Sequence, residues 1–335
     1  MYENGIILAL AGIISFVLAA VLGKVLIPWL HKLKFGQTIL EDGPTWHQKK
    51  QGTPTMGGIL FIAGFVAAAL VGMVLITVWL PDTFGTAFEK VRFWAGIGLA
   101  LGCGFIGFVD DYIKVVKKRN LGLTAIQKIL LQLLVSTAYA VIMYAYGKGG
   151  FFIPFFGYVE WGIWYIPFTI FVIIAMTNAT NLTDGVDGLC GFTGFIAALA
   201  LLLIGGIGSQ LPQSLLAVSL AGGLAGFLVW NFHPAQVFMG DTGSLFIGGA
   251  LTALAFGMGH PFLLIPIGVL YIAENLSVIL QVAYFKITHG KRLFKMSPLH
   301  HHFELCGWSE NRIVLTFAGV TLLGCLAAIA LVLFA

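Results

Sequence analysis

Five aspartates at the ends of long apolar runs are the residues best suited to chemistry in this sequence. They are Asp110, Asp111, Asp184, Asp187 and Asp241. The chain has only 14 acidic residues among 335, so this concentration needs a reason. Ionisable side chains at the edges of membrane-like segments usually serve a function. Groups of carboxylates suit divalent cations and the phosphate chemistry that such cations support.

The first two aspartates are adjacent in the segment FVDDYIK, which ends the third apolar run. Neighbouring residues of an α-helix point about 100° apart, so Asp110 and Asp111 are not expected to face one point if the helix continues. Lys114 follows one turn later on a neighbouring face. A solvated helix end with a local ion pair is the alternative interpretation.

The second motif, NLTDGVDGL, joins the fifth and sixth apolar runs. Asp184 and Asp187 are three residues apart and Asn181 precedes them by another three, so a helical turn would place all three side by side. Asp184 could instead cap the following helix. Capping accounts for one aspartate but not for both, which favours a binding role.

The third motif, FMGDTGS, contains Phe238 and Asp241 and follows Asn231 by a few residues. Asp241 could simply be the N-cap of the next helix. The backbone amides that follow it would also be free at a helix N-terminus, which favours binding of an anion. The motif alone is weak, and the two other aspartate motifs strengthen it.

The fourth motif is PLHHHFE, with His300, His301 and His302 in a row. Consecutive side chains diverge, and the spacing differs from that of an HExxH zinc site. Contact with phosphate and support of an acid elsewhere are both open interpretations. A surface run of histidines without a role is the third.

The fifth motif, KKQGTPTMGG, leads into the second apolar run and contains Lys50 and Thr55. Basic side chains beside a glycine-rich helix start suit contact with phosphate. The alternative is that these lysines only contribute to the charge of a loop on the cytoplasmic side.

The composition indicates which kind of fold positions these residues. The chain is 59% hydrophobic and 10% charged, whereas soluble domains are about 25% charged. Many apolar runs exceed the ~18 residues of a membrane span, and they do not alternate as the strands of a membrane barrel do. We predict an all-α polytopic membrane protein with a single integral membrane domain over residues 1–335. The net charge of +4 reflects loop topology and not nucleic-acid binding.

Ten transmembrane helices are predicted from the apolar runs and their proline and glycine boundaries. They cover residues 4–30, 56–80, 92–111, 124–147, 161–178, 188–208, 214–232, 243–258, 262–286 and 312–335. The ninth carries Glu274 in its middle, which predicts a packed, hydrogen-bonded polar group. Pro266 and Gly268 lie upstream and predict a bend in that helix.

Basic residues predict the orientation of these helices, because cytoplasmic loops are enriched in lysine and arginine. They cluster in the loops after the first, third and ninth helices, whereas the opposite side has only Lys90, Arg92 and Lys148. Both termini are therefore expected outside. All five aspartates then lie on the cytoplasmic face, which favours a phosphate site over an ion pathway through the membrane.

Taken together, these motifs resemble the bacterial phospho-N-acetylmuramoyl-pentapeptide transferases of the polyprenyl-phosphate N-acetylhexosamine-1-phosphate transferase superfamily. The segments that carry the resemblance are KKQGTPTMGG, DDYIK, NLTDGVDGL, FMGDTGS and PLHHHFE. They occur in the family's order and cover nearly the whole chain. The resemblance implies a Mg²⁺-dependent reaction in the bacterial cytoplasmic membrane, in which undecaprenyl phosphate and UDP-MurNAc-pentapeptide give lipid I and UMP.

The resemblance also implies roles for individual residues. Asp241 is the expected metal ligand and a catalytic residue, and Asp110 is the position proposed to accept a proton from the lipid phosphate. Asp111, His300 and His301 complete the expected catalytic set. The expected substrate-binding residues are Lys50, Thr55, Lys114, Asn181, Asp184, Asp187, Asn231, Phe238, Gln281 and His302, with Asp187 and Phe238 nearest the uracil.

Several alternatives remain at this point. A related enzyme could use UDP-GlcNAc and share the aspartate motifs, although PLHHHFE and KKQGTPTMGG favour the muramoyl-pentapeptide branch. A cation-coupled transporter would place its carboxylates near the middle of the bilayer. Direct attack by the lipid phosphate is favoured over a two-step route through an aspartyl intermediate, because phosphoryl transfer needs mainly alignment and charge neutralisation. Family members often form homodimers, and small residues in the first and tenth helices could pack against a second copy.

Overall fold

Long apolar helices form nearly all of the structure, a computed structural model that describes residues 2–32, 52–84, 86–116, 121–147 and 149–334. The helices are α1 Tyr2–Lys32, α2 Gly58–Trp79, α3 Ala87–Val116, α4 Ala125–Gly147, α5 Tyr165–Thr183, α6 Leu189–Ile207, α7 Leu211–Asn231, α8 Gly240–Gly257, α9 Leu264–Ile267, α10 Val269–Ile287, α11 Leu299–Glu304 and α12 Glu310–Phe334. Short 3₁₀ turns lie at Pro81–Phe84, Gly162–Trp164 and Pro261–Leu263.

Among the described residues, 9 helices are long and apolar enough to cross a membrane. The prediction of an all-α, multi-pass membrane protein is confirmed, and each of the ten predicted helices has a counterpart. The helix that falls outside the nine is α8, and every residue from Thr242 to Gly257 is buried. It packs against α2, α3, α5 and α6. This helix is therefore the centre of the bundle.

Gly107 permits the close approach of α3 to the start of α8. A Cβ atom on Gly107 would overlap the backbone of Asp241 and Thr242 at the start of α8. Glycine permits this approach because it has no side chain. The consequence is that Asp110 and Asp111, one turn further along α3, lie beside the first turn of α8.

The ninth predicted helix is broken, as its proline and glycine predicted. A 3₁₀ turn at Pro261–Leu263 leads into α9, and Gly268 separates α9 from α10. Pro266 has no amide hydrogen to continue the helical ladder. The bend predicted from Pro266 and Gly268 is thus confirmed, and α10 begins directly after it.

Two elements were not predicted. An antiparallel hairpin pairs β1, Gly150–Ile153, with β2, Gly157–Glu160, so that Gly150 lies opposite Glu160. The short helix α11 carries the three histidines. Strands of four residues and a helix of six are too short to produce a readable hydrophobic period.

Candidate active site

The approach of α3 to α8 brings three of the five aspartates together. Carboxylate oxygens of Asp110, Asp111 and Asp241 lie within 4.8 Å of one another. Both α3 aspartates thus reach one cluster although the helix continues to Val116, so the expectation that they could not is wrong.

Asp111 binds the N-terminus of α8. Its carboxylate accepts the backbone N–H of Asp241 at 3.2 Å and of Thr242 at 2.9 Å, and the Thr242 hydroxyl donates to it at 2.7 Å. Of the amides that FMGDTGS predicted to be free at a helix start, that of Thr242 binds an anion, which is the Asp111 side chain. The Gly243 amide donates instead to Met239 O. Asp241 itself lies in the first turn of α8 and makes no side-chain cap.

Two lysines neutralise the cluster. Lys114 Nζ lies 2.6 Å from Asp110 Oδ2, 3.8 Å from Asp111 Oδ1 and 3.2 Å from Asp241 Oδ2. Lys128 Nζ lies 2.7 Å from Asp241 Oδ2 and 3.6 Å from Asp110 Oδ1. Three carboxylates facing one another would repel, and ammonium groups at these distances relieve that repulsion.

Neutral hydrogen bonds fix the direction of the remaining carboxylate oxygens. Asn181 on α5 donates from Nδ2 to Asp241 Oδ1 at 2.8 Å and also to the Ser244 hydroxyl at 2.9 Å. Asp110 Oδ1 accepts the backbone N–H of Leu123 at 2.8 Å. Residues of four helices, α3, α4, α5 and α8, thus converge on this cluster.

The cluster has the donors that a hard divalent cation prefers, which are carboxylate oxygens. Asp241 suits a cation best, because its side chain is 15% exposed whereas that of Asp110 is 2% exposed. Asp111 suits it least, since amides and a hydroxyl already take its lone pairs. The partly exposed Asp241 Oδ2 supports this fit, because the lysine ammonium groups that contact it can be exchanged for a cation.

The other two aspartates lie in the segment between α5 and α6. The Asp184 side chain keeps partial access to solvent, yet enclosure by the protein raises the pKa of this carboxyl well above its usual range. The carboxylates of Asp241, Asp111 and Asp187 raise this pKa further. Asp184 is therefore close enough to the carboxylates of the α3–α8 cluster and of Asp187 to feel their charges.

Asp187 belongs to a second polar group. Its Oδ2 lies 3.1 Å from His233 Nδ1 and accepts the Ala235 N–H at 3.0 Å. Glu310 Oε2 is 3.6 Å from the same histidine nitrogen. Asp187 therefore has a different set of partners from Asp110, Asp111 and Asp241.

Hydrogen bonds of Asn231 and Phe238 connect the loops around the site. Asn231 accepts the Gly188 N–H at 3.1 Å and donates to the Val237 carbonyl at 2.9 Å. The Phe238 N–H donates to Pro54 O at 2.8 Å, and Phe238 O accepts the Gly57 N–H at 2.8 Å. The segment with Thr55 is thereby held against the start of α8.

The three histidines have three different partners. His300 is 1% exposed and its Nδ1 lies 3.2 Å from Glu274 Oε1. His301 Nδ1 lies 2.7 Å from Glu304 Oε2. His302 Nδ1 accepts the Lys295 N–H at 3.1 Å. Each histidine is thus oriented by a different group.

Gln281 on α10 binds backbone groups of the long segment before α11. Its Oε1 accepts the N–H groups of Leu293 and Phe294 at 3.0 and 2.9 Å, and its Nε2 donates to Phe294 O at 3.2 Å. The side chain thus positions this segment beside the histidines. Lys50 lies outside the described residues.

The family model for Glycosyl transferase family 4 matches residues 93–259, and a phospho-N-acetylmuramoyl-pentapeptide-transferase signature matches residues 50–62. A phospho-N-acetylmuramoyl-pentapeptide-transferase of Clostridium perfringens strain 13 is 44% identical over 98% of this chain and 99% of its own. The chain belongs to this transferase family. A Shouchella clausii relative of the same name is 45% identical over 91% of each chain, and a Listeria monocytogenes relative is 42% identical over 96% and 97%.

Sequence reasoning missed three residues of this transferase's candidate site. Lys128 is the only charged residue in the sequence of α4, and a lone lysine at one end of an apolar helix was a usable signal. His233 and Glu310 gave no such signal. They reach Asp187 from segments that are distant in sequence, and only the fold brings them together.

Proposed function

We propose that this enzyme transfers phospho-MurNAc-pentapeptide from UDP-MurNAc-pentapeptide to undecaprenyl phosphate, giving lipid I and UMP. The observation that carries the proposal is the cluster of Asp110, Asp111 and Asp241 with Lys114 and Lys128, in a chain whose relatives bear the name of this transferase. Carboxylates for a cation and ammonium groups for phosphates are the groups that phosphoryl transfer between two phosphates needs.

Mg²⁺ is the cation that we assign to Asp241, with Asp110 as a second carboxylate of the same cluster. When bound, Mg²⁺ would neutralise the diphosphate and stabilise the departing UMP. Asn181 keeps Asp241 Oδ1 in place, so that Oδ2 faces the cation. Lys114 and Lys128, which are 32% and 18% exposed, can turn from the carboxylates toward substrate phosphates.

Direct attack by the lipid phosphate is the mechanism that we favour. A phosphate monoester has its second pKa near ~6, so it is already largely dianionic and needs no strong base. Asp110 contacts both lysines, Lys114 at 2.6 Å and Lys128 at 3.6 Å, and we assign it to the lipid phosphate. Asp111 supports it by holding the start of α8.

The donor occupies the opposite side of the cluster in this proposal. Asp184 and Asp187 line the nucleotide side with Asn181, Asn231 and Phe238, and Asp187 and Phe238 lie nearest the uracil. Lys50, Thr55, Gln281 and His302 contribute further polar contacts to the substrates, and His300 and His301 act beside them. Support comes from Asp184, because the charges of Asp241, Asp111 and Asp187 all raise the pKa of its carboxyl group.

The location of the enzyme is proposed from its charges. Basic residues accumulate in the loops on the side of the aspartates, which indicates the cytoplasm. We therefore infer a single membrane domain in the bacterial cytoplasmic membrane with both termini outside and the site facing the cytoplasm. Exposed apolar residues on α1 and α12 are available to membrane lipid or to a second copy in a homodimer.

UMP release tests this function. Purified enzyme with undecaprenyl phosphate and Mg²⁺ is given either UDP-MurNAc-pentapeptide or UDP-GlcNAc. We expect UMP and a lipid-linked product only from the former. Release only from UDP-GlcNAc would identify the related GlcNAc-1-phosphate transferase instead, and release from neither would refute both assignments.

A further inference from the structure

The carboxylate of Glu274 is fully buried in α10 and binds the start of α11. Glu274 is 0% exposed. Its Oε2 accepts the Leu299 N–H at 2.6 Å, and its Oε1 accepts the His300 N–H at 3.2 Å. His300 Nδ1 lies at 3.2 Å from the same Oε1. A buried carboxylate needs such donors, and all three come from two consecutive residues of α11.

This arrangement fixes the orientation of the His300 ring. An ionised carboxylate only accepts hydrogen bonds, so Nδ1 carries the hydrogen between the two groups. Nε2 is enclosed and has no hydrogen-bond partner among the described residues. Glu274 thus holds the imidazole in one orientation.

The free edge of this imidazole rests on Gly185. A Cβ atom on Gly185 would overlap His300 Nε2 and would lie 2.8 Å from Cε1. Gly185 follows Asp184 and precedes Asp187, the two aspartates assigned to the nucleotide. The contact therefore connects the buried carboxylate of Glu274, through the His300 ring, to the backbone of residues 184–188.

We propose that Glu274 is a positioning residue for the nucleotide-sugar donor, acting through His300 on the segment 184–188. The assignment rests on the proposed function, because that function places the donor at Asp184 and Asp187. A positioning role on one side of the site affects the KM for the donor and leaves the KM for undecaprenyl phosphate unchanged. A general loss of structure would affect both.

Glu274→Gln is the informative substitution. The amide group of glutamine would face either the Leu299 N–H or the His300 Nδ1–H, so one donor would meet another. We expect the donor KM to rise about 10-fold and the KM for undecaprenyl phosphate to stay within twofold. His300→Ala should raise the donor KM similarly. In the His300→Ala variant, a further Glu274→Gln substitution should raise the donor KM little, because the side chain through which Glu274 acts is absent.

Ser277→Ala is the matched control. Ser277 is buried one turn further along α10 and donates only to the Glu274 carbonyl at 2.6 Å. It should keep both KM values. Independent effects of Glu274→Gln and His300→Ala, or equal increases of both KM values, would overturn the proposal.

Hydrogen exchange separates this proposal from the proposed function, because it needs no turnover. In the wild-type protein, segment 184–188 should exchange slowly. Glu274→Gln should accelerate its exchange at least several-fold, and Ser277→Ala should not. Unchanged exchange in Glu274→Gln would refute the positioning role even if the enzyme makes lipid I. Faster exchange in Glu274→Gln, together with no UMP release by the wild-type protein, would refute the proposed function. It would still support the connection from Glu274 to segment 184–188.

Discussion

Asp111 on α3 accepts two hydrogen bonds from Thr242 on α8, one from its amide at 2.9 Å and one from its hydroxyl at 2.7 Å. A carboxylate at a helix N-terminus is stabilised by the helix dipole and by the free amides there. This aspartate therefore contributes to the packing of the bundle as well as to the charge of the site. The two contributions can be separated by substitution.

Asp111→Asn should destabilise the protein more than Asp241→Asn does. The asparagine side chain keeps one acceptor but turns an amide donor toward the N–H and O–H donors of α8. Hydrogen bonds to a charged group contribute about 1.5–3 kcal/mol each to the stability of the fold. We expect a loss of about 2–3 kcal/mol, visible as a lower midpoint of thermal unfolding in detergent. Equal midpoints for the two variants would contradict this role of Asp111.

Asp241→Asn should abolish most turnover while the fold persists. The substitution removes the partly exposed carboxylate that we assign to Mg²⁺, and the loss of one electrostatic stabiliser at a reacting centre costs about 10²–10³ in kcat. UMP release measured across a Mg²⁺ titration checks it. Near-normal turnover at saturating Mg²⁺ would show that the cation binds elsewhere.

Lys128→Met should lower kcat by about 100-fold. The variant leaves Asp110 and Asp241 with one ammonium group in place of two and removes a cation for the substrate phosphates. Lys286→Met is the matched control, since Lys286 is an exposed lysine in the last turn of α10. Comparable kcat values for the two variants would show that Lys128 does not contribute to catalysis.

Gly107→Ala should separate α3 from α8. Its Cβ would overlap the backbone of Asp241, and such overpacking costs about 1–3 kcal/mol. Gly98→Ala is the control on the same helix, because a Cβ there meets no atom within 4 Å. We expect a lower unfolding midpoint and reduced UMP release for Gly107→Ala only. A Gly107→Ala protein as stable and active as Gly98→Ala would mean that the helices can shift without consequence.

The helices could be predicted from the sequence, whereas the contact partners of the site residues could not. Continuous apolar runs predicted the ten long helices, and Pro266 with Gly268 predicted the break before α10, because both signals are local. The contacts of Asp187 with His233 and of Asp241 with Lys128 were not predictable in this way. They depend on which helix faces are opposed, and no local pattern encodes that.

Asp111 and His300 also illustrate that a motif can indicate a role for a residue without identifying its contact partners. Their types indicated a role, and FMGDTGS correctly indicated amides that bind an anion. That the anion is a side chain of α3 follows only from the packing of Gly107 against α8. Likewise, PLHHHFE marked His300, but Glu274 and Gly185 are brought to it by the fold.

The construction of the carboxylate cluster has a consequence for biosynthesis. Its residues come from α3, α4, α5 and α8, and α8 is the last of these to leave the ribosome. Until residue 241 has been inserted, Lys114 has Asp110 and Asp111 as its cluster carboxylates, while Lys128 has Asp110 alone. A chain released before α8 would thus lack Asp241, the carboxylate that we assign to the cation, so we expect premature termination to yield no active enzyme.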